Sequence, residues 1–337
     1  MTKQALLGAL TVTFGLLVLQ GCKSDTAKDA KDAKDAKDAK MKPDLVLEYG
    51  LSPRFPLRYM IQDGSMTTST MELTTSSMTT TTSAGEEITR TPGLRFVVSS
   101  GPAIKLPNGN ARFDVRIVKA EAIMPPGVDP AVEDDFNRSA ALLKDVGGWI
   151  EVDDRGIVQR SELNQAAKNP NVPVRLLMTI VHARTSLARI ILPAEPVGLG
   201  ASWEARKELK IYGFEMQQVD RYTLIDKVDD ELKLRVEIVQ TAPKQTLTFV
   251  EEGVEFALRS LSMSADGDVI LNLNALEGSA SVQGQSAEVL TVKTVQSKEK
   301  IKLNSAFQLD MNVRYEASKQ KAQAIEEAAT KTTPGQK

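Results

Sequence analysis

The chain has 337 residues, 42 Lys and Arg against 44 Asp and Glu, and a formal charge of −2. A balance this close to neutral excludes the clustered positive charge of a nucleic-acid binder. One cysteine and one histidine exclude an internal disulfide and leave a zinc site or a Ser-His-Asp triad a single histidine to draw on.

The N-terminus is read first. Met1-Thr2-Lys3 gives a short positive start, and Ala5 to Leu19 is uncharged and mostly apolar. That run has the length of a signal-peptide core and falls short of a spanning helix. Leu19-Gln20-Gly21-Cys22 follows directly, and no Ala-x-Ala site competes with it. These residues resemble the lipobox of bacterial lipoproteins, with Leu at −3, Gly at −1 and Cys at +1. Gln20 departs from the small residue usual at −2. The resemblance implies cleavage before Cys22, a diacylglyceryl thioether on Cys22 and an acyl group on its amine. Two or more acyl chains hold a protein stably on a membrane, whereas one does so only marginally. Lys23, where Asp would follow the Cys of a retained lipoprotein, implies an outer-membrane destination facing the periplasm. Removing residues 1–21 takes away Lys3 and no acid, which moves the charge from −2 to −3.

Asp-Ala-Lys then repeats from Asp29 to Lys40. Its charges cancel and its largest apolar residue is Ala, so it cannot bury enough surface to fold alone. Residues 22–43 are expected to be a lipidated Cys and a solvated tether. Residues 44–316 are expected to be the globular region, and 317–337 a frayed tail rich in Lys, Ala, Gln and Thr.

Within the globular region the dominant signal is period-two alternation. Phe55, Leu57, Tyr59 and Ile61 alternate with polar neighbours, as do Phe113, Val115 and Ile117. Trp203, Ala205, Leu209 and Ile211 oppose a charged face, with Lys207 breaking the apolar series. Leu232 to Ile238 and Phe307 to Tyr315 repeat the pattern. One apolar and one wet face per strand is the mark of an antiparallel sheet on a core. Turns are expected at Asn108-Gly109, Asp154-Arg155-Gly156, Asp229-Asp230 and Asp266-Gly267. Residues 64–91, rich in Ser and Thr, are expected to form a long, polar, partly exposed hairpin. Its Met66, Met71 and Met78 do not share one face at period two, and no His or Cys is near, which argues against a copper site.

Two helices are expected. The first starts at Asp129-Pro130, carries Glu133, Asp134 and Asp135 in its first turn, buries Val132, Phe136, Ala140, Leu143 and Val146, and ends at Gly147-Gly148. Its three acids point about 100 degrees apart and do not converge on a metal. The second runs from Pro173 to Ile191. Arg175, Thr179, His182, Ser186 and Arg189 form a narrow polar stripe, so His182 is expected to face water. Arg184 projects into the apolar arc, where a guanidinium needs a partner. It is either paired with a sheet carboxylate or it anchors the anionic group of a ligand.

Pro193-Ala194-Glu195-Pro196-Val197-Gly198-Leu199-Gly200-Ala201-Ser202-Trp203 links this helix to the next strand. Similar Pro-x-x-x-Val-x-x-Gly-x-x-Trp segments occur in exported bacterial lipoproteins. That resemblance covers roughly the second half of the chain and implies no particular chemistry.

The fold expected is α+β and mainly antiparallel β: a curved sheet or half-barrel with two helices packed on its apolar face. The pattern resembles that of periplasmic lipoprotein carriers and lipid-binding lipoproteins. It implies an anchored protein that binds or carries an apolar or lipid ligand, with Arg184 as the candidate ligand-binding residue. The alternative is a structural or assembly lipoprotein that docks an envelope protein, with the Ser/Thr hairpin as its contact edge. An enzyme built on paired carboxylates is the third reading. No metal or cofactor is expected. The partners expected are the membrane, through the N-terminal lipid, and a hydrophobic ligand or an envelope protein.

Overall fold

The computed structural model describes residues 45–81, 85–124, 130–164, 190–211, 214–249, 254–276, 278–293 and 298–316. They form β1 (Leu45–Glu48), β2 (Met66–Thr81), β3 (Gly85–Ser100), β4 (Ile104–Lys105), β5 (Ala111–Ile123), α1 (Pro130–Ala141), β6 (Gly147–Val152) and β7 (Val158–Leu163). Then come β8 (Ser202–Ile211), β9 (Phe214–Val228), β10 (Glu231–Ala242), β11 (Gln245–Phe249), β12 (Val254–Asn272), β13 (Gly278–Lys293) and β14 (Lys298–Glu316). All the strands belong to one open curved sheet, with β1 and β7 at the two ends of its order. The order is β1-β8-β9-β10-β12-β13-β14-β2-β3-β5-β6-β7, with β11 beside β12 and β4 beside β5. Every pairing is antiparallel.

The expected alternation holds in β5, β8, β10 and β14 where their side chains are described. In β10, Leu232, Leu234, Val236, Ile238 and Gln240 are buried, while Glu231, Lys233, Arg235, Glu237 and Val239 are exposed. Phe96, Val98, Phe113 and Ile117 continue the apolar face on β3 and β5, and Leu309 and Met311 on β14. α1 joins the same cluster through Phe136 and Ala140, and the turn after it adds Leu143 and Val146. Among the described residues α1 is the one helix. Of the second expected helix, residues 173–189 lie outside those described; its last two residues, Ile190 and Ile191, are buried without being helical.

Three expectations are corrected. The glycine pair Gly147-Gly148 does not stop α1: it opens β6. The left-handed residue after the helix is Asp145, at φ 64°. The glycines are needed for a different reason, since a Cβ on Gly147 would meet the Val115 carbonyl oxygen and one on Gly148 that of Glu162. Asp266-Gly267 is not a turn either. Both lie inside β12, opposite Glu237 and Val236, and a Cβ on Gly267 would meet the Ser281 carbonyl oxygen. Finally, the β2 arm of the Ser/Thr hairpin is not an edge, whereas among the described residues its β3 arm meets a second strand only over Gly93–Ser100. β2 is flanked along its whole length by β14 and β3.

Phe55 to Ile61 keeps the burial expected of a strand but makes only one bridge, Phe55 with Val197. It is a strap across the turn end of the sheet. Leu51 N–H donates to Leu199 O at 2.8 Å, Tyr59 N–H to Asp154 O at 2.7 Å, Met60 N–H to Leu273 O at 2.7 Å and Gly64 N–H to Ala103 O at 2.8 Å. Asp154 lies in the β6–β7 turn and Leu273 in the β12–β13 connection. Four strands separate those two connections in the sheet order. Adjacent residues bond to both, so the sheet has to curl. Leu57, Tyr59 and Ile61 point into the core. The Tyr59 hydroxyl donates to Ile190 O at 2.9 Å, and Trp203 Nε1 donates to Ile191 O at 2.8 Å.

Leu57 is wholly buried on a segment with little ladder of its own. Leu57→Ala is expected to cost about 2–5 kcal/mol in urea unfolding, within a single transition. A loss well below that range would show that the strap lies outside the cooperative core.

Candidate functional site

Of the residues singled out from sequence, Cys22, His182 and Arg184 lie outside the described residues. Two described features remain: a polar row inside the curve and a groove on its outer face.

The row begins at Lys207, the residue that broke the apolar series of β8. Direct cross-strand partners carry it through Gln218, Gln240, Met263 and Ser286. Below it, toward the turn end, stand Trp203, Tyr222, Val236, Val282 and Leu309, all buried. The strap-covered apolar cluster lies on this side of the row; beyond it Met216, Ala257 and Leu258 are also buried. At the β8–β10 end of the row, Lys207 Nζ lies 2.5 Å from Asp220 Oδ2. Asp220 also accepts Gln218 Nε2 at 2.5 Å and the Tyr222 hydroxyl at 3.1 Å. Gln240 Nε2 in turn donates to Gln218 Oε1. All five side chains are buried. Their match of donors to acceptors is what lets a charge pair sit inside an apolar wall.

Two other described carboxylates are buried, and each has its own donors. Glu151 accepts Asn110 Nδ2 at 2.5 Å and Asn108 Nδ2 at 3.2 Å. Those hydrogen bonds hold its pKa below the ordinary carboxylate range. Glu204, on the outer face of β8, accepts Arg221 at 2.8 Å and Arg206 at 3.4 Å. The hydrogen bond from Arg221 is the largest cause of its lowered pKa. Glu204 and Asp220 are on opposite faces of the sheet and Glu151 is on β6, so these three do not form the facing pair that carboxylate catalysis uses.

The groove, of about 710 Å³, crosses β3, β5, β6 and β7 on the face turned away from Phe96, Phe113 and Ile117. Ser99 pairs with Arg116, and Arg116 with Gly147, in one outer row. Asp114, Trp149 and Glu162 form the next. Gly148 and Trp149 of β6 both line the hollow. The Arg112 guanidinium lies 4.3 Å from the centroid of the Trp149 ring, and Trp149 Nε1 donates to Glu162 Oε2 at 3.3 Å. The indole is thus fixed at its edge and on one face. Among the described residues Arg116 and Asp114 form no ion pair with each other or with a neighbour. Met66 and Leu163, 38% and 48% exposed, add apolar surface at the groove. Sequence reading missed this site. The signal was Gly147-Gly148-Trp149, in which the glycines looked like a helix terminator.

The groove offers an anchored aromatic, a cation and two carboxylates on a rigid sheet, beside β7, the last strand in the order of the described residues. That is a recognition surface: its groups are placed to bind, and none is positioned as a nucleophile beside a base. Among the described residues no three Asp, Glu, His or Cys side chains converge as metal ligands. Compared with protein-family models and with curated proteins, the chain matches none.

Two outcomes follow. Lys207→Met strands a buried carboxylate and is expected to cost about 3–5 kcal/mol; adding Asp220→Asn should restore much of it in thermal unfolding. If the double variant is as unstable as the single one, the pair is not the unit described. Glu151 and Glu204 both have lowered folded-state pKa values. Their contribution is therefore present above the unfolded glutamate pKa of about 4.3 and disappears as pH falls through the lower folded values. Urea midpoints measured across acidic pH should fall in that window, and by less in Glu204→Gln. An equal fall in the variant would remove Glu204 from the account.

Proposed function

We propose that the chain is a lipoprotein of the bacterial envelope, held on the outer membrane by lipid on Cys22 and facing the periplasm, whose folded part docks a protein partner in the groove between β3 and β7. The observation that carries the docking half is where free surface remains. The apolar concave face below the polar row is covered by the chain's own strap, by α1 and by Ile190–Leu192. The groove on the other face is open, and Trp and Arg, which line it, are the side chains that most often dominate interface energetics. Among the described residues the adjacent β7 pairs on one side only, and its other edge is suited to an added strand.

A second reading, carriage of an apolar or lipid ligand, is supported by the inner face at and just above the row, where Met263 and Leu261 are only half-buried. In that reading Arg184 would hold the anionic group of the ligand.

A photo-crosslinking residue placed at Leu163 in the native envelope is expected to capture one protein in stoichiometric yield, and Arg116→Glu is expected to reduce that capture at least tenfold. Scattered adducts that ignore Arg116→Glu would sink the docking reading. Native mass spectrometry of the same preparation decides the second, which requires co-purified lipid beyond that bound to Cys22. The anchor is read separately from the intact mass, which should begin at Cys22 and include the acyl groups.

A further inference from the structure

The first seven described residues, Leu45 to Leu51, hold five large apolar side chains. Val46 alone packs against the core. Leu45, Leu47, Tyr49 and Leu51 are 58%, 39%, 43% and 72% exposed. Gly198 N–H donates to Tyr49 O at 2.9 Å and Leu51 N–H to Leu199 O at 2.8 Å, which brings Leu199, 38% exposed, into the same surface. The Arg54 guanidinium lies 5.0 Å from the centroid of the Tyr49 ring. Single exposed apolar residues need no explanation, but a contiguous group does.

We infer that this patch is a second membrane contact, through which the folded body rests on the surface of the lipid bilayer. Two observations select a bilayer as the occupant. The first is position. β1 is the point at which the fold joins the chain that leads to Cys22, and residues 23–44 span at most about 75 Å even when fully extended. The tether therefore restricts this edge of the sheet to the neighbourhood of the bilayer more tightly than any later strand. A second contact on a tethered body forms at high effective concentration, so a modest patch is enough. The second observation is composition. Aliphatic side chains beside a Tyr capped by an Arg match the membrane interface, where the aliphatic groups enter the acyl boundary and the phenol and guanidinium stay at headgroup level. The position argument rests on the proposed anchor; the affinity of the patch for lipid does not.

The test uses the chain from residue 22 onward with Cys22→Ser, which cannot be acylated. It is floated with vesicles of phosphatidylethanolamine and phosphatidylglycerol. The unlipidated protein is expected to float with the vesicles, and the Leu47→Ser/Leu51→Ser variant to bind at least tenfold less with an unchanged unfolding midpoint. If that variant is poorly folded, Leu199→Ser serves as the independent probe, with a smaller loss expected. No flotation of the parent protein, or equal flotation of the variants, overturns the proposal. So does elution of the parent as a dimer that the same substitutions dissociate, since the patch would then belong to a second copy of the chain. An unmodified Cys22 in the native protein would remove the anchor yet leave the flotation result to stand or fall alone.

Discussion

The curvature of the sheet depends on two consecutive backbone donors. Tyr59 N–H reaches Asp154 and Met60 N–H reaches Leu273, two connections that a flat sheet would hold about five strand spacings apart, on the order of 24 Å. Bonding both from one dipeptide fixes the bend at the turn end. The side chains then follow: Leu57, Tyr59 and Ile61 enter a concave face that is already curled around them. Gly156 belongs to the same device. Its φ is +84°, and a Cβ there would meet the Tyr59 ring and the Ile190 carbonyl. A strap buried on one side and bonded at both ends encloses a core without closing the sheet into a barrel.

Above the strap-covered cluster, the inner face of β8, β9 and β10 turns polar. Lys207, Gln218 and Gln240 occupy register positions that alternation assigns to the inside. Asp220, one step lower, turns that irregularity into a closed set of hydrogen bonds. A buried ion pair is weak evidence for net stability and better evidence for specificity. A one-residue slip between β8 and β9 would turn Lys207 and Asp220 to opposite faces and strand both charges. Long strands rich in Ser and Thr, such as β2, have little apolar pattern to fix their register, so a polar lock on the neighbouring half of the sheet has a clear physical use.

Much of the fold was legible because alternation is a backbone consequence: side chains on successive residues point to opposite faces, and burial follows. β5, β8, β10 and β14 could be read from one face of apolar residues each. Glycine was less legible. At Gly109 and Gly156 a positive φ meant a turn, as expected. At Gly147, Gly148 and Gly267 the residue serves close approach of neighbouring strands, a tertiary fact with no local signature. The groove was missed for the same reason, since it exists because β3, β5, β6 and β7 bring Ser99, Arg116, Trp149 and Glu162 together. The strap was half legible: its alternation was clear, but nothing in it announced that its hydrogen bonds would go to turns and not to a neighbouring strand.

The placement of the two exposed features bears on how one molecule could use both. The Leu45–Leu51 patch is at the β1 end of the strand order, and the groove lies against β7 at the other end. An edge strand left bare invites unwanted pairing, and the two terminal strands among the described residues differ in how they meet that hazard. β1 is four residues long and bulged between Val46 and Glu48, which makes it a poor template for another strand while its apolar side chains stay available to a fluid surface. β7 is regular over most of its length and carries Arg160, Ser161 and Glu162 in exposed positions, which suits directional, sequence-dependent pairing. A bilayer needs no register and a protein partner does. The irregular end of the sheet is therefore the one fitted to lipid, and the regular end the one fitted to a folded or extended protein.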